Sequence, residues 1–195
     1  MPPAHENASS STPRTAVLWC NLGSPDAPDA AAVRSYLADF LGDPRVVEIP
    51  KAIWAPILHG IILRTRPAKS AAKYASVWTN EGSPLAVWTQ RQATLLGGWL
   101  GERGHRVDVR MAMRYGEPSI GATLDALRAD GATRVLVLPL YPQYAAATTA
   151  TVQDAVGAWS RQARRLPEFR FVNDYCDDTG YIDALAESVR IHWQW

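Results

Sequence analysis

A chain of 195 residues, 47% apolar and 20% charged with a formal net charge of +1, is long enough for one domain with a real core. It has neither the basic excess of a nucleic-acid binder nor an acidic tail. Its only cysteines, Cys20 and Cys176, cannot form a four-cysteine cluster and lie in no C-x-x-C pair, so no iron–sulfur cluster is expected and buried free thiols in a reducing compartment are the simplest reading. Residues 1–14 lack the basic start and apolar core of a secretory leader and read as a disordered tail, and no stretch has the length and uniform apolarity of a membrane span.

The first strand is expected over residues 16–20, followed at once by Asn21, Leu22, Gly23, Ser24 and Pro25. Glycine there permits a tight turn or a close backbone approach, but the loop has too few glycines for a dinucleotide fingerprint. Asp29 can cap a helix over 30–41, whose Val33, Tyr36, Leu37 and Phe40 share one face. Residues 45–67 form an apolar excursion broken by Pro50, Pro56 and Gly60, read as neither one strand nor one long helix. With Arg64, Arg66, Lys69 and Lys73 at its end, it suits a lid, a pocket wall or a patch meeting lipid headgroups. A segment packed on its own domain with its charges in solvent is the alternative. A helix is expected over 85–100, a strand over 107–113, and a helix capped by Ser119 running to Gly131.

Residues 134–151, R-V-L-V-L-P-L-Y-P-Q-Y-A-A-A-T-T-A-T, organise the chain. Val135, Leu136, Val137 and Leu138 form a short apolar run that fits a strand covered on both faces, and Pro139 and Pro142 end its ladder. Thr148, Thr149 and Thr151 offer hydroxyl acceptors to the spare N–H groups of the next helix, expected over 152–165. A strand over 169–172 and a helix over 181–193 complete the pattern. The order predicts a doubly wound α/β domain with a four-stranded parallel sheet in the order 2-1-3-4. Its distinctive loops, 21–25, 114–119 and 139–149, then converge beyond one strand edge, where such sheets place ligands. An ordinary set of strand exits whose aromatics cover the sheet is the alternative.

None of the four histidines stands at metal-ligand spacing from another donor, and no serine lies in G-x-S-x-G. The mouth is instead aromatic, apolar and cationic. Arg64, Arg66, Lys69 and Arg114 suit the carboxylates of a planar hydrophobic ligand, with Leu22, Trp54, Ile57, Tyr115 and Tyr144 against its face. That is a binding site without a complete catalytic set.

Several motifs carry a family likeness: N-L-G-S-P-D-A-P at 21–28, F-L-G-D-P-R-V-V-E-I-P at 40–50, P-I-L-H-G-I-I-L-R-T-R-P at 56–67, E-G-S-P-L at 81–85, M-R-Y-G-E-P-S-I at 113–120, and L-P-L-Y-P-Q-Y-A-A-A-T-T-A at 138–150. In this order they resemble the amino-terminal half of ferrochelatases, closest to proteobacterial members. Those enzymes insert ferrous iron into protoporphyrin IX to make protohaem, and hold the porphyrin in a cleft between two similar α/β domains.

The resemblance implies that Leu22, Gly23 and Ser24 contact the macrocycle, and that residues 53–63 form a cleft lip which in some relatives meets membrane. Arg64, Arg66 and Ser83 would lie near propionates. Arg114 and Tyr115 would face the porphyrin near the metal path in a supporting role, and Tyr141, Gln143 and Tyr144 would back the inner wall. Trp54 and Ile57 belong to the apolar cleft. Ala145 and Ala147 stand where relatives often have serines, and Cys176 where a histidine is common.

The family's metal-site histidine and its partner carboxylate belong to a second domain that is expected to be absent from this chain, so the chain itself carries no metal ligand and no catalytic residue by this reading. Protoporphyrin IX and ferrous iron are the implied substrates of the intact enzyme, with no further cofactor. Its location would be cytoplasmic, with peripheral membrane contact through 49–63 left open. A porphyrin-binding fragment without turnover and a fragment without function are the rival readings.

Overall fold

The computed structural model describes residues 13–193; most of the expected tail, residues 1–12, and the last two positions lie outside them. The sheet has four parallel strands, β1 (Thr15–Asn21), β2 (Val107–Met113), β3 (Arg134–Pro139) and β4 (Glu168–Phe171), in the order β2-β1-β3-β4, as the sequence pattern predicts. β1 is central. Its Leu18 pairs with Arg110 on one side and Val137 on the other. Strands buried on both faces read as continuous apolar runs, and T-A-V-L-W-C and V-L-V-L are such runs.

Side-chain alternation divides β1 between two faces. Ala16, Leu18 and Cys20 join Ala112, Val135 and Val137 under α5 (Ile120–Ala129) and α6 (Thr151–Ser160), through Ile120, Leu124, Leu127, Val152, Val156 and Trp159. The opposite face of β1 and β2 is covered by α4 (Pro84–Glu102). There Gly97 faces Val109, and an added Cβ would make only ordinary van der Waals contact with it at 3.8 Å.

Caps fall where short polar side chains precede helices. The Asp29 carboxylate accepts from Ala31 and Ala32 N–H at 2.8 and 2.9 Å, opening α1 (Ala30–Gly42). Ser119 accepts from Ala122 N–H, and Asp178 from Tyr181 N–H at the start of α7 (Thr179–Trp193).

The excursion differs from its sequence reading. Residues 51–77 form an almost unbroken helical run: α2 (Lys51–Ile57), a π turn (Leu58–Ile62) and α3 (Leu63–Val77). Pro50 sits before the first turn, where no donor is lost. Pro56 and Pro67 each delete one helical bond, and between them the chain widens so that Leu63 N–H reaches the Leu58 carbonyl five residues back. The run continues through both prolines, because Leu58, Leu63, Pro67 and Ala71 bury one face on α1. Two smaller expectations also shift. The helix after β3 ends at Ser160 instead of 165, and Cys176 is exposed while only Cys20 is buried.

Leu18 lies at the centre of the sheet and is fully buried. Leu18→Ala is expected to lower unfolding free energy by about 2–5 kcal/mol in urea titrations, since its neighbours on three strands leave little room to collapse.

Candidate functional site

The carboxyl edge of the sheet is built by backbone contacts between exit loops. Arg114 N–H donates to the Asn21 carbonyl at 2.8 Å and Tyr115 N–H to the Leu22 carbonyl at 2.9 Å, so the loops after β1 and β2 continue the ladder beyond the strands. On the other side, Leu140 N–H donates to the Cys20 carbonyl at 2.7 Å. Gly23 (φ +102°) and Gly116 (φ +88°) make the crossing feasible. A Cβ on Gly23 would stand 1.6 Å from the Tyr115 carbonyl oxygen, and one on Gly116 2.6 Å from that of Ser24. Asn21 fixes the same loop to α4 by donating through its amide to Thr89 Oγ1 at 2.9 Å.

At the centre of this edge lies Asp43, 8% exposed, in the turn after α1. Its Oδ2 accepts from Arg114 Nη2 at 2.6 Å, from the Tyr115 hydroxyl at 2.8 Å and from the Thr151 hydroxyl. Its Oδ1 accepts from Arg45 N–H at 2.7 Å. Arg114 Nε donates to the Thr151 carbonyl and hydroxyl oxygens at 3.0 and 2.6 Å, and the guanidinium lies 4.4 Å from the Tyr115 ring centre. One carboxylate thus ties α1, the loop after β2 and the start of α6 together. Burial works to raise the Asp43 pKa, but the hydrogen bonds from Thr151, Arg45 N–H and Tyr115, with the Arg114 charge, outweigh it and hold the carboxyl below its ordinary value. Burial pushes the Tyr115 phenol up to about 12.

Aromatic side chains extend the cluster. Phe40 meets Tyr115 edge to face at 5.2 Å, Tyr36 meets both Tyr115 and Tyr74, and Tyr74 meets Trp78. The ladder links the loop after β2 to α1 and α3. The Tyr141 hydroxyl is buried with no hydrogen-bond partner among the described residues.

The structure divides the sequence-predicted residues. Gly23, Ser24, Arg114 and Tyr115 come together, and the last three line a broad groove of about 1400 Å³ with Asp43. Arg114 is 21% exposed at its side chain and commits Nε and Nη2 to the chain, leaving Nη1 without a partner among the described residues. Leu22 and Tyr141 are half-buried, while Gln143 and Tyr144 are exposed. Ser83 is buried just before α4 and makes no side-chain cap. The Trp54 indole N–H donates to the Leu41 carbonyl at 2.7 Å, tying α2 to the end of α1, and Ile57 is exposed beyond it. Arg64 and Arg66 are exposed and make no ion pair among the described residues.

The threonine expectation needs correction. Thr148, Thr149 and Thr151 donate, to the Ala145 carbonyl, the Asn173 carbonyl and Asp43, instead of accepting from the helix start, because a π turn over Ala146–Ala150 precedes α6. Asp43 itself escaped notice behind its helix-ending context, G-D-P; its signal is a carboxylate in a turn that must be buried beside an arginine. Among the described residues no three of His, Cys, Asp and Glu come together to hold a metal ion.

Compared with known proteins, residues 14–195 match the family described as Ferrochelatase. The chain belongs to the ferrochelatase family. It is 67% identical over 191 residues to the ferrochelatase of Methylibium petroleiphilum, covering 98% of this chain and 52% of that protein. It is 68% identical over 180 residues to that of Polaromonas sp., covering 92% and 49%, and 58% identical over 192 residues to that of Dechloromonas aromatica, covering 98% and 52%. The chain spans about half the length of the curated relatives it matches.

Asp43→Asn is expected to cost about 2–3 kcal/mol, because it removes the charge that Arg114 and two hydroxyls face. The folded pKa of Asp43 is depressed, so its contribution is present above the unfolded carboxylate value of about 4 and lost as pH falls through the folded value. Denaturant titrations from pH 7 down to pH 3 should show a steeper loss in the parent than in Asp43→Asn. Gly23→Ala should destabilise by more than about 2 kcal/mol, since a positive φ and a collision with backbone act together. Thermal unfolding reads both effects.

Proposed function

We propose that this chain supplies the amino-terminal wall of a ferrochelatase cleft, in a protein that inserts ferrous iron into protoporphyrin IX to form protohaem. The observation that carries the reading is the continuous family likeness over residues 14–195, running through the three exit loops that dock on one another at the sheet edge. The porphyrin would lie across that edge, with its macrocycle against Leu22, Gly23, Ser24, Trp54 and Ile57. Its propionates would turn toward Arg64, Arg66 and Ser83, and Tyr141, Gln143 and Tyr144 would back it.

Metal insertion requires a distorted macrocycle, loss of two pyrrole protons and a guided path for Fe(II). Binding energy from the periphery can support the distortion only if the wall does not yield. The Asp43 clasp supplies that rigidity by fixing Arg114 and Tyr115, with Arg114 Nη1 left to meet the ligand.

A second reading, for this chain alone, is porphyrin held without turnover, since the exposed Arg64 and Arg66 can bind propionates whether or not a metal is inserted. We infer a cytoplasmic protein whose lip rests against a membrane surface. Ile49, Ile53, Ile57 and Ile61 recur at four-residue spacing and are all exposed, Lys51, Arg64, Arg66 and Lys69 flank them, and no Asp or Glu occurs from 49 to 77. No helix among the described residues is long and apolar enough to cross a membrane.

The chain is expected to quench or shift protoporphyrin IX fluorescence at micromolar concentrations. It should insert Fe(II) no faster than the uncatalysed rate. Arg64→Ala combined with Arg66→Ala should weaken porphyrin binding about tenfold, the scale of two partly solvated charge-assisted bonds. Turnover well above background, or binding indifferent to both arginines, would overturn the assignment.

A further inference from the structure

Charge is spread unevenly over the wall of the proposed cleft. The lip carries Lys51, Arg64, Arg66, Lys69 and Lys73, all exposed, and no Asp or Glu occurs from 49 to 77. None of the five makes an ion pair among the described residues. The loop edge is the opposite. Across the three exit loops, 21–25, 114–119 and 139–149, the only charged side chains are those of Arg114 and Glu117.

Arg114 is therefore the one group of those loops able to draw an anion inward, and Asp43 cancels it. The buried carboxylate meets Arg114 Nη2 at 2.6 Å. Tying loops together needs acceptors. A full negative charge does more, because it removes the field that the guanidinium would otherwise set up at the edge. Arg114 Nη1 can still donate to an uncharged acceptor, but the pair brings no net charge to it. Glu117 is exposed, its carboxylate accepting only from Ser119 N–H at 2.8 Å, and it makes no ion pair among the described residues. Asp43 and Glu117 against Arg114 leave the loop edge faintly acidic, while the lip is wholly basic. A ligand carboxylate gains at one end of the wall what it loses at the other.

We propose that Asp43 is a specificity-determining residue: by cancelling Arg114 it turns the loop edge against carboxylates, so the cleft takes a flat macrocycle only when its acid groups all lie on the side facing the lip. This deepens the porphyrin reading and rests on it. Protoporphyrin IX, with its two carboxylates on neighbouring rings, meets the rule. A porphyrin with a carboxylate on every ring must send some of them toward the exit loops, where no uncancelled cation stands and Glu117 repels them.

Fluorescence titration of the 195-residue chain with protoporphyrin IX and with coproporphyrin III, which has one carboxylate on every ring, tests it at neutral pH and fixed salt. The parent is expected to bind the dicarboxylate at least about tenfold more tightly, the scale of one unit charge a few ångströms away at a partly solvated position. Asp43→Asn should cut that ratio by about tenfold, chiefly by tightening the tetracarboxylate. Leu18→Ala, which loosens the core without changing charge, should leave the ratio at the parent value, so lost rigidity and lost charge are told apart. Glu117→Gln reads the same field from an exposed position and should lower the ratio a few-fold with thermal unfolding unchanged. A ratio that stays at the parent value in Asp43→Asn, or in Glu117→Gln where Asp43→Asn does not fold, overturns the proposal and leaves porphyrin binding standing. A parent that binds both porphyrins equally, or a ratio that falls as far in Leu18→Ala, does the same. Binding of neither porphyrin removes the porphyrin reading, and the proposal with it.

Discussion

One buried carboxylate decides whether this sheet edge is a surface or a set of loose loops. Asp43 comes from the turn after α1, Arg114 and Tyr115 from the loop after β2, and Thr151 from the first turn of α6. A single acceptor serves three donors from two other elements. The desolvation cost of such a carboxylate is repaid only while all of them stay in place, so the cluster forms as a unit. Glycine does the complementary work: at Gly23 and Gly116 the backbones of two loops meet where no side chain fits. The site is therefore defined twice over, by polar bonds beneath and by backbone contact above.

Much of this was legible in the sequence, and the reasons are specific. The parallel sheet and its order follow from apolar strands alternating with amphipathic helices, and right-handed crossovers leave few alternatives. Asp29 and Ser119 announce their caps because a short polar side chain before an apolar-periodic run has one economical use. Residues 45–67 are hard to read from sequence because Pro50, Pro56 and Gly60 weigh against a helix by their local cost alone. Each deleted bond costs a few kcal/mol in an isolated helix, but burying Leu58, Leu63, Pro67 and Ala71 on α1 offsets it, and a π turn takes up the misfit. The Asp43 clasp was invisible for a different reason. It joins positions 43, 114 and 151, and no local periodicity reports a contact made across such separations.

The family likeness adds what geometry alone lacks. The groove beside Arg114 and the loops that carry Leu22 and Tyr141 are compatible with many planar ligands, and fold by itself does not choose among them. The likeness supplies a ligand class; the structure then constrains how these residues can serve it. Arg114, with two of its three nitrogens held by Asp43 and Thr151, is poorly placed to swing toward a carboxylate. It is well placed to hold Tyr115 and the loop backbone still. Arg64 and Arg66, exposed and without ion pairs among the described residues, have the opposite character and suit long, adjustable reach.

The distribution of charge separates the exposed apolar faces by partner. On the excursion, isoleucines at four-residue spacing are accompanied by basic side chains and no acid, a composition that favours an anionic surface of indefinite shape. On α4 the exposed Leu85, Trp88, Leu95 and Trp99 are interspersed with Arg91, Gln92 and Glu102, so acid and base are mixed along the face. On α7, Ile182, Leu185 and Val189 are exposed and no residue of the helix is buried. Hydrophobicity alone would treat the three as equivalent. Charge does not, because an anionic lipid surface favours an apolar face edged by base alone over one of mixed sign.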